Sequence, residues 1–96
     1  MLPDHLISTI ATHPLVIKDG KEFLLLLELP KSDDQTENFY SYTDVDELQE
    51  VHRGNTSEMV RVALVKWRDE TAGTVAQFRE ALTGSYFMEL AHDVLP

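Results

Sequence analysis

Between Trp67 and Phe78 the chain ends one helix and begins another, and that punctuation constrains the kind of fold it can build. Upstream, Val60, Ala63, Leu64 and Trp67 recur at i, i+3, i+4 and i+7, which draws one apolar stripe along an α-helix. The polar elbow Glu70 to Gly73 follows. Thr74-Val75-Ala76-Gln77 is then a T-x-x-Q capping box, in which the Thr74 hydroxyl accepts from the Gln77 N–H and the glutamine side chain reaches back. Val75, Phe78, Ala81 and Leu82 form the inward face of the helix it opens. Short amphipathic helices joined this tightly bury their stripes only against one another, which makes a bundle.

Similar signals divide the rest of the chain. Asp4 after Pro3 caps a short helix carrying Leu6, Ile7, Ile10 and Ala11, and Pro14 stops it by pushing His13 out of the α region. Asp19 and Gly20 open a second helix, Lys21 to Leu29, ended by Pro30. Its run FLLLL reads equally as a buried strand by periodicity alone; leucine-rich composition and the proline stop favour helix. Lys31 to Tyr42 is polar and acidic and reads as a long, mobile loop. Thr43 or Asp44 begins a short acidic helix whose apolar residues Val45, Leu48 and Val51 repeat at three, and Gly54 is placed to end it. Asn55, with Glu58 three residues on, caps the helix from Thr56 to about Asp69. Gly84 ends the helix after the T-x-x-Q box, and Ser85 caps a last one with Phe87, Leu90, Ala91, Val94 and Leu95. The expectation is an all-α, six-helix antiparallel bundle forming one domain over residues 1–96.

Composition limits what such a bundle does. A chain of 96 residues, 43% hydrophobic and 26% charged, fits one globular domain with a single core. It has no cysteine, so neither a disulfide framework nor a thiolate metal site is expected. MLPDHLISTI is broken by Pro3, Asp4 and His5 and does not read as a secretion signal, and the longest apolar run, Phe23 to Leu27, is too short to cross a bilayer. These features predict a cytoplasmic, intracellular domain without membrane insertion. A net charge of -9 opposes binding to a phosphate backbone, so nucleic acid is not an expected partner.

The charge is also unevenly placed. From Glu28 to Glu50 there are eight acids against Lys31 alone, a local net of -7; from Arg53 to Arg68 there are four bases against Glu58, a local net of +3. With Val60, Leu64 and Trp67 inward, Arg61, Val65 and Arg68 are expected on the opposite side of their helix, an apolar centre between two guanidiniums suited to receiving carboxylates. Asp44, Asp46, Glu47 and Glu50 form the complementary face, with Asp44 placed to favour a helix N-terminus. These seven residues are the candidate protein-interaction site.

Other motifs carry less. DVDELQEVHRGN opens like a calcium loop, but Gln49 stands where the glycine is needed and Asn55 where the bidentate glutamate is needed. Asn55-Thr56-Ser57 is a glycosylation sequon that reads better as a helix cap. His5, His13, His52 and His92 have no paired metal spacing, and Trp67 reads as core. ENFYSYTD places four hydroxyls beside a helix start and reads as a solvated loop. There is no G-x-S-x-G motif and no phosphate-cradling loop. No catalytic residue, cofactor or metal is expected, and the chain is not expected to be an enzyme.

The run VRVALVKWRDETAGTVAQFREALTGSYFMELAHDVL resembles the second half of a death domain: a helix ending in tryptophan, a short polar turn, a Thr-Val helix start, an -AL- end and a final helix. KEFLLLLELPKS looks like that family's second helix and DVDELQEVHRGN like its short third. The chain departs from the pattern near Asp19 and Gly20, where the family has a tryptophan, and in the length of the Lys31 to Tyr42 loop. Death effector and caspase-recruitment relatives share the same six-helix plan. The resemblance implies a non-enzymatic adaptor that binds another death-domain protein, possibly itself, through asymmetric surfaces in an apoptotic, inflammatory or receptor-proximal signalling complex. It places the two charged helices among the family's contact surfaces. The alternative is a structural accessory helical domain of a larger multidomain or RNA-processing protein.

Overall fold

Pro14 makes the first bend of the chain and also starts a helix. In the computed structural model, which describes residues 2–27, 38–85 and 87–95, helix α1 (Asp4–Ala11) stops before His13, whose ψ of 136° is extended as the following proline requires. A proline at the first helical position lacks only an N–H that would be orphaned there anyway. Helix α2 (Pro14–Lys18) therefore begins at once, with His13 Nδ1 accepting from the Leu15 N–H at 3.2 Å. Sequence signals assign no helix to this span. Asp4 is not the cap of α1: Pro3 holds that position, and the Asp4 carboxylate is used elsewhere.

Helix α3 (Gly20–Leu24) corrects the predicted Lys21 to Leu29 helix. After Leu24 the chain tightens into i→i−3 bonds, Leu26 N–H to Phe23 O and Leu27 N–H to Leu24 O, and leaves the helix. The carbonyl of Leu27 instead accepts from the Phe39 N–H at 2.9 Å, a tertiary pairing that competes with further helix. Residues 28–30 of the predicted helix, and 31–37 of the predicted loop, lie outside the described residues. No strand runs through Phe23 to Leu27. Gly20 lets α3 settle close to its neighbour, because a Cβ there would stand 2.6 Å from Thr56 Cγ2.

The remaining elements start where their caps dictate. Helix α4 (Tyr42–Val51) begins one or two residues before its predicted start, because Ser41 and Asp44 form a reciprocal box at 3.1 Å each way. Helix α5 (Thr56–Thr71) is capped by Asn55 Oδ1, which accepts from the Glu58 N–H at 3.2 Å. It ends at Ala72, whose φ of 54° turns the chain left-handed. Gly73 then crosses the face of Trp67 so closely that a Cβ would lie 2.5 Å from the ring. Helix α6 (Val75–Leu82) carries the predicted Thr74–Gln77 box, made in both directions. Helix α7 (Met88–Val94) starts later than expected; Ser85 Oγ accepts from the Phe87 N–H rather than from the helix proper.

The described residues thus form seven helices rather than the six expected, and every regular element among them is helical. Helix α5 is the axis: Met59, Val60, Ala63, Leu64 and Trp67 are buried along one side. Trp67, Phe78, Phe23 and Phe87 form a chain of tilted and edge-on rings with centroids 6.2, 5.8 and 5.3 Å apart. Helix α1 makes the broadest contact with α5 and buries Ile7, Ile10 and Ala11. No helix among the described residues is long and apolar enough to cross a membrane.

Candidate interaction surface

Helix α4 turns Val45 inward and half-buries Leu48, which directs Thr43, Asp46, Glu47 and Glu50, at i, i+3, i+4 and i+7, to solvent. All four predicted carboxylates of this helix are exposed. Asp44 closes the capping box, Asp46 meets Lys21 of α3 at 2.5 Å, and Glu50 meets Arg53 at 2.5 Å. The hydrogen bond that Lys21 donates to Asp46, then the charge of Asp46, raises the Lys21 ammonium above its ordinary pKa. No base among the described residues pairs with Glu47. Val51, the third of the apolar residues spaced at three on this helix, is 77% exposed. The period of three that joins Val45, Leu48 and Val51 falls short of the helical 3.6, so Val51 has drifted about 120° from Val45 and off the core.

The second surface differs more from expectation. Arg61, Val65 and Arg68 line a groove of about 310 Å³ together with Asp4, Ile7 and Ser8 of α1. Arg68 follows Trp67 by one residue and so lies only about 100° round the helix from it, on a flank rather than the back. Helix α1 covers that flank, and the Arg68 side chain is 13% exposed. Its guanidinium donates to the Leu2 carbonyl at 3.2 Å, to Asp4, and to Asp69 at 3.0 Å. The hydrogen bond to Asp4, then that to Asp69, raises the Arg68 pKa, and the same bond from Arg68 holds the Asp4 carboxyl below its usual range. With Leu2 buried and its N–H bonded to Gly73 O at 2.8 Å, residues 2–4 strap across the end of α5. Arg68 is an internal clasp.

Arg61 is exposed as expected but already engaged. Its Nε and a terminal nitrogen donate to the two oxygens of Glu58 at 2.9 and 2.5 Å, which lowers the Glu58 pKa and raises its own. Val65 is half-buried against the core. The local +3 of this segment largely disappears in space, because carboxylates from elsewhere meet its bases: Glu50 on Arg53, Glu70 on Lys66 at 4.0 Å, Asp4 and Asp69 on Arg68. On α4 the pairs of Asp46 with Lys21 and Glu50 with Arg53 leave Glu47 as the outward carboxylate with no base on it among the described residues; the basic counterpart is neutralised within the molecule.

Around these surfaces, Tyr40 is the residue that sequence reasoning missed. It is 4% exposed and donates its hydroxyl to Ala63 O at 2.7 Å, so the segment read as solvated loop is fastened to the middle of α5. Burial, followed by the nearby carboxylates of Glu70 and Asp44, pushes its phenol well above the usual pKa. An aromatic within a polar run was the available signal. His13 Nε2 lies 3.2 Å from Asp93 Oδ2, joining the α1–α2 corner to α7. Comparison of the chain with protein-family models, with curated proteins and with solved structures gives no match.

Proposed function

We propose that this chain is a non-enzymatic interaction module that associates in the manner of death domains, docking its acidic α4 face onto a basic surface of another death-domain protein in a cytoplasmic signalling complex. One observation carries this reading: Glu47 stands outward with no base paired to it among the described residues, between Asp46 and Glu50 whose pairs with Lys21 and Arg53 are solvent-exposed, while Arg61, Lys66 and Arg68 are held in ion pairs elsewhere in the chain. The field that remains to steer a partner is negative. Two copies of net charge -9 repel, so a different, basic module fits this face better than a second copy does. A contact between unlike patches is heterologous and builds open rather than closed assemblies. The helix order supports the same reading, since α2 and α3, separated by Asp19 alone, count as one interrupted element of a six-helix plan.

Sedimentation velocity of the chain alone, and mixed with a panel of recombinant death-fold modules spanning net charge, tests this at low and high salt. The expected result is a monomer alone and a complex with basic modules that weakens with salt and is lost in Glu47→Lys/Glu50→Lys. Binding to no member of the panel, or binding indifferent to both salt and the double substitution, overturns the reading in favour of a structural accessory domain.

A further inference from the structure

Beside the acidic face, residues of α4 and α5 and the segment Phe39–Tyr40 line a groove of about 330 Å³. Phe39, Leu48 and Val51 supply its apolar lining, and the anchored Tyr40 ring stands behind Phe39, perpendicular to it at a centroid distance of 4.7 Å. The Tyr40 hydroxyl bond to Ala63 O and the Phe39 N–H bond to Leu27 O hold this wall to α5 and to the chain after α3. Asp44 and Glu47 stand on the α4 rim, and Glu70 stands on the α5 rim with Lys66. The groove therefore joins an apolar floor to three carboxylates and one ammonium.

That combination selects its occupant by chemistry. A purely apolar side chain fills the floor but strips water from carboxylates without replacing it, which is costly. An acidic side chain is repelled. A long cationic side chain satisfies both levels, because its methylene stem lies on apolar surface while its head stays with the carboxylates. Between the two cations, arginine fits better. Its planar guanidinium stacks on an aromatic face such as Phe39, and its fork spans acceptors on two sides where an ammonium is a point charge. Lys66 does not block entry: its ammonium is 4.0 Å from Glu70 and both side chains are more than half exposed, a loose surface pair that exchanges readily. Glu70 and Asp44 also both raise the Tyr40 pKa, so carboxylates from two different helices act at one point of the wall.

We propose that this groove is the socket for an arginine side chain presented by the partner protein, with the stem over Leu48 and Val51 and the guanidinium between Glu47 and Glu70. The inference rests on the interaction-module reading for its partner and on the groove's own chemistry for its occupant, so the two are tested separately. In amide-detected NMR, the ¹⁵N-labelled chain is titrated with N-acetyl-arginine amide, then with the corresponding blocked lysine and blocked leucine. Arginine is expected to give saturable shifts confined to Phe39, Leu48, Val51, Lys66 and Glu70, with lysine weaker and leucine silent. Glu47→Gln and Glu70→Gln are each expected to weaken the arginine response roughly tenfold, the loss of one charge-assisted hydrogen bond. Glu89→Gln on α7 leaves it unchanged. Shifts scattered over the acidic surface, equal response to lysine and arginine, no response at all, or indifference to both glutamine substitutions overturns the socket. A partner found by sedimentation whose binding ignores Glu70→Gln, with no arginine shifts, removes the socket and leaves the module reading standing; arginine shifts without any death-fold partner do the reverse.

Discussion

Arg68 shows how one side chain ties distant parts of the chain together. Its three acceptors belong to Leu2, Asp4 and Asp69, so removing it frees the N-terminal strap as well as a charge pair. Arg68→Glu places a third carboxylate beside Asp4 and Asp69 and is expected to lower the melting temperature by several degrees. Arg61→Glu sacrifices only an exposed i,i+3 pair and should leave melting nearly unchanged. Equal melting of the two variants by circular dichroism contradicts the clasp. The pair also sets a pH response. Asp4 has a folded pKa below its ordinary 3.8, so its contribution is complete above that value and disappears as pH falls through the lower folded value. The melting difference between the wild type and Asp4→Asn should accordingly be present at pH 7 and vanish in strong acid. A difference that persists unchanged at low pH refutes the linkage.

At the scale of elements, caps decide where helices begin and close approaches decide how they lie. Ser41→Ala and Thr74→Ala each remove one half of a reciprocal box and should cost about 1 kcal/mol in chemical denaturation. Gly73 is the more demanding position, since its missing Cβ makes room for the Trp67 ring. Gly73→Ala should cost about 1–3 kcal/mol through overpacking, and Trp67→Ala about 3–5 kcal/mol through the cavity it leaves. A Gly73→Ala protein as stable as the wild type means that the α5–α6 elbow shifts freely. The T-x-x-Q box at Thr74 and the Asn55 cap were legible in the sequence because a cap and the N–H it accepts from are three residues apart and need no other part of the chain. The end of α3 was not, because Leu27 gives its carbonyl to Phe39, a partner that local rules cannot supply.

For the whole molecule, α5 lies against α1, α2, α3 and α4, and Trp67 contacts α6 through Phe78. Loss of this helix removes support from every one of them. Unfolding followed by Trp67 fluorescence and by far-ultraviolet circular dichroism should therefore coincide in one transition. Separate midpoints show that part of the helix set melts independently of α5. Charge behaves differently from packing at this scale. Windows of sequence mark an acidic segment and a basic one, yet ion pairs engage Arg53, Lys66 and Arg68 and, on the acidic side, Asp46 and Glu50, so that Glu47 is what α4 presents with no base on it among the described residues. The outward Asp46, Glu47 and Glu50 were readable from helical spacing, as was the inward stripe from Val60 to Trp67. The groove holding Val51 and Phe39 was not, since it exists only where two helices and a returning segment meet.

Helical periodicity, proline stops and side-chain caps act over three or four residues, so the sequence alone determined the helical class, the position of the Thr74 elbow and the buried face of α5. Tertiary structure alone decided that Arg68 closes on Leu2 and Asp4 and that Tyr40 is buried. Those outcomes depend on which groups from remote positions arrive at the same place, and both electrostatic pairing and burial are properties of distance in space.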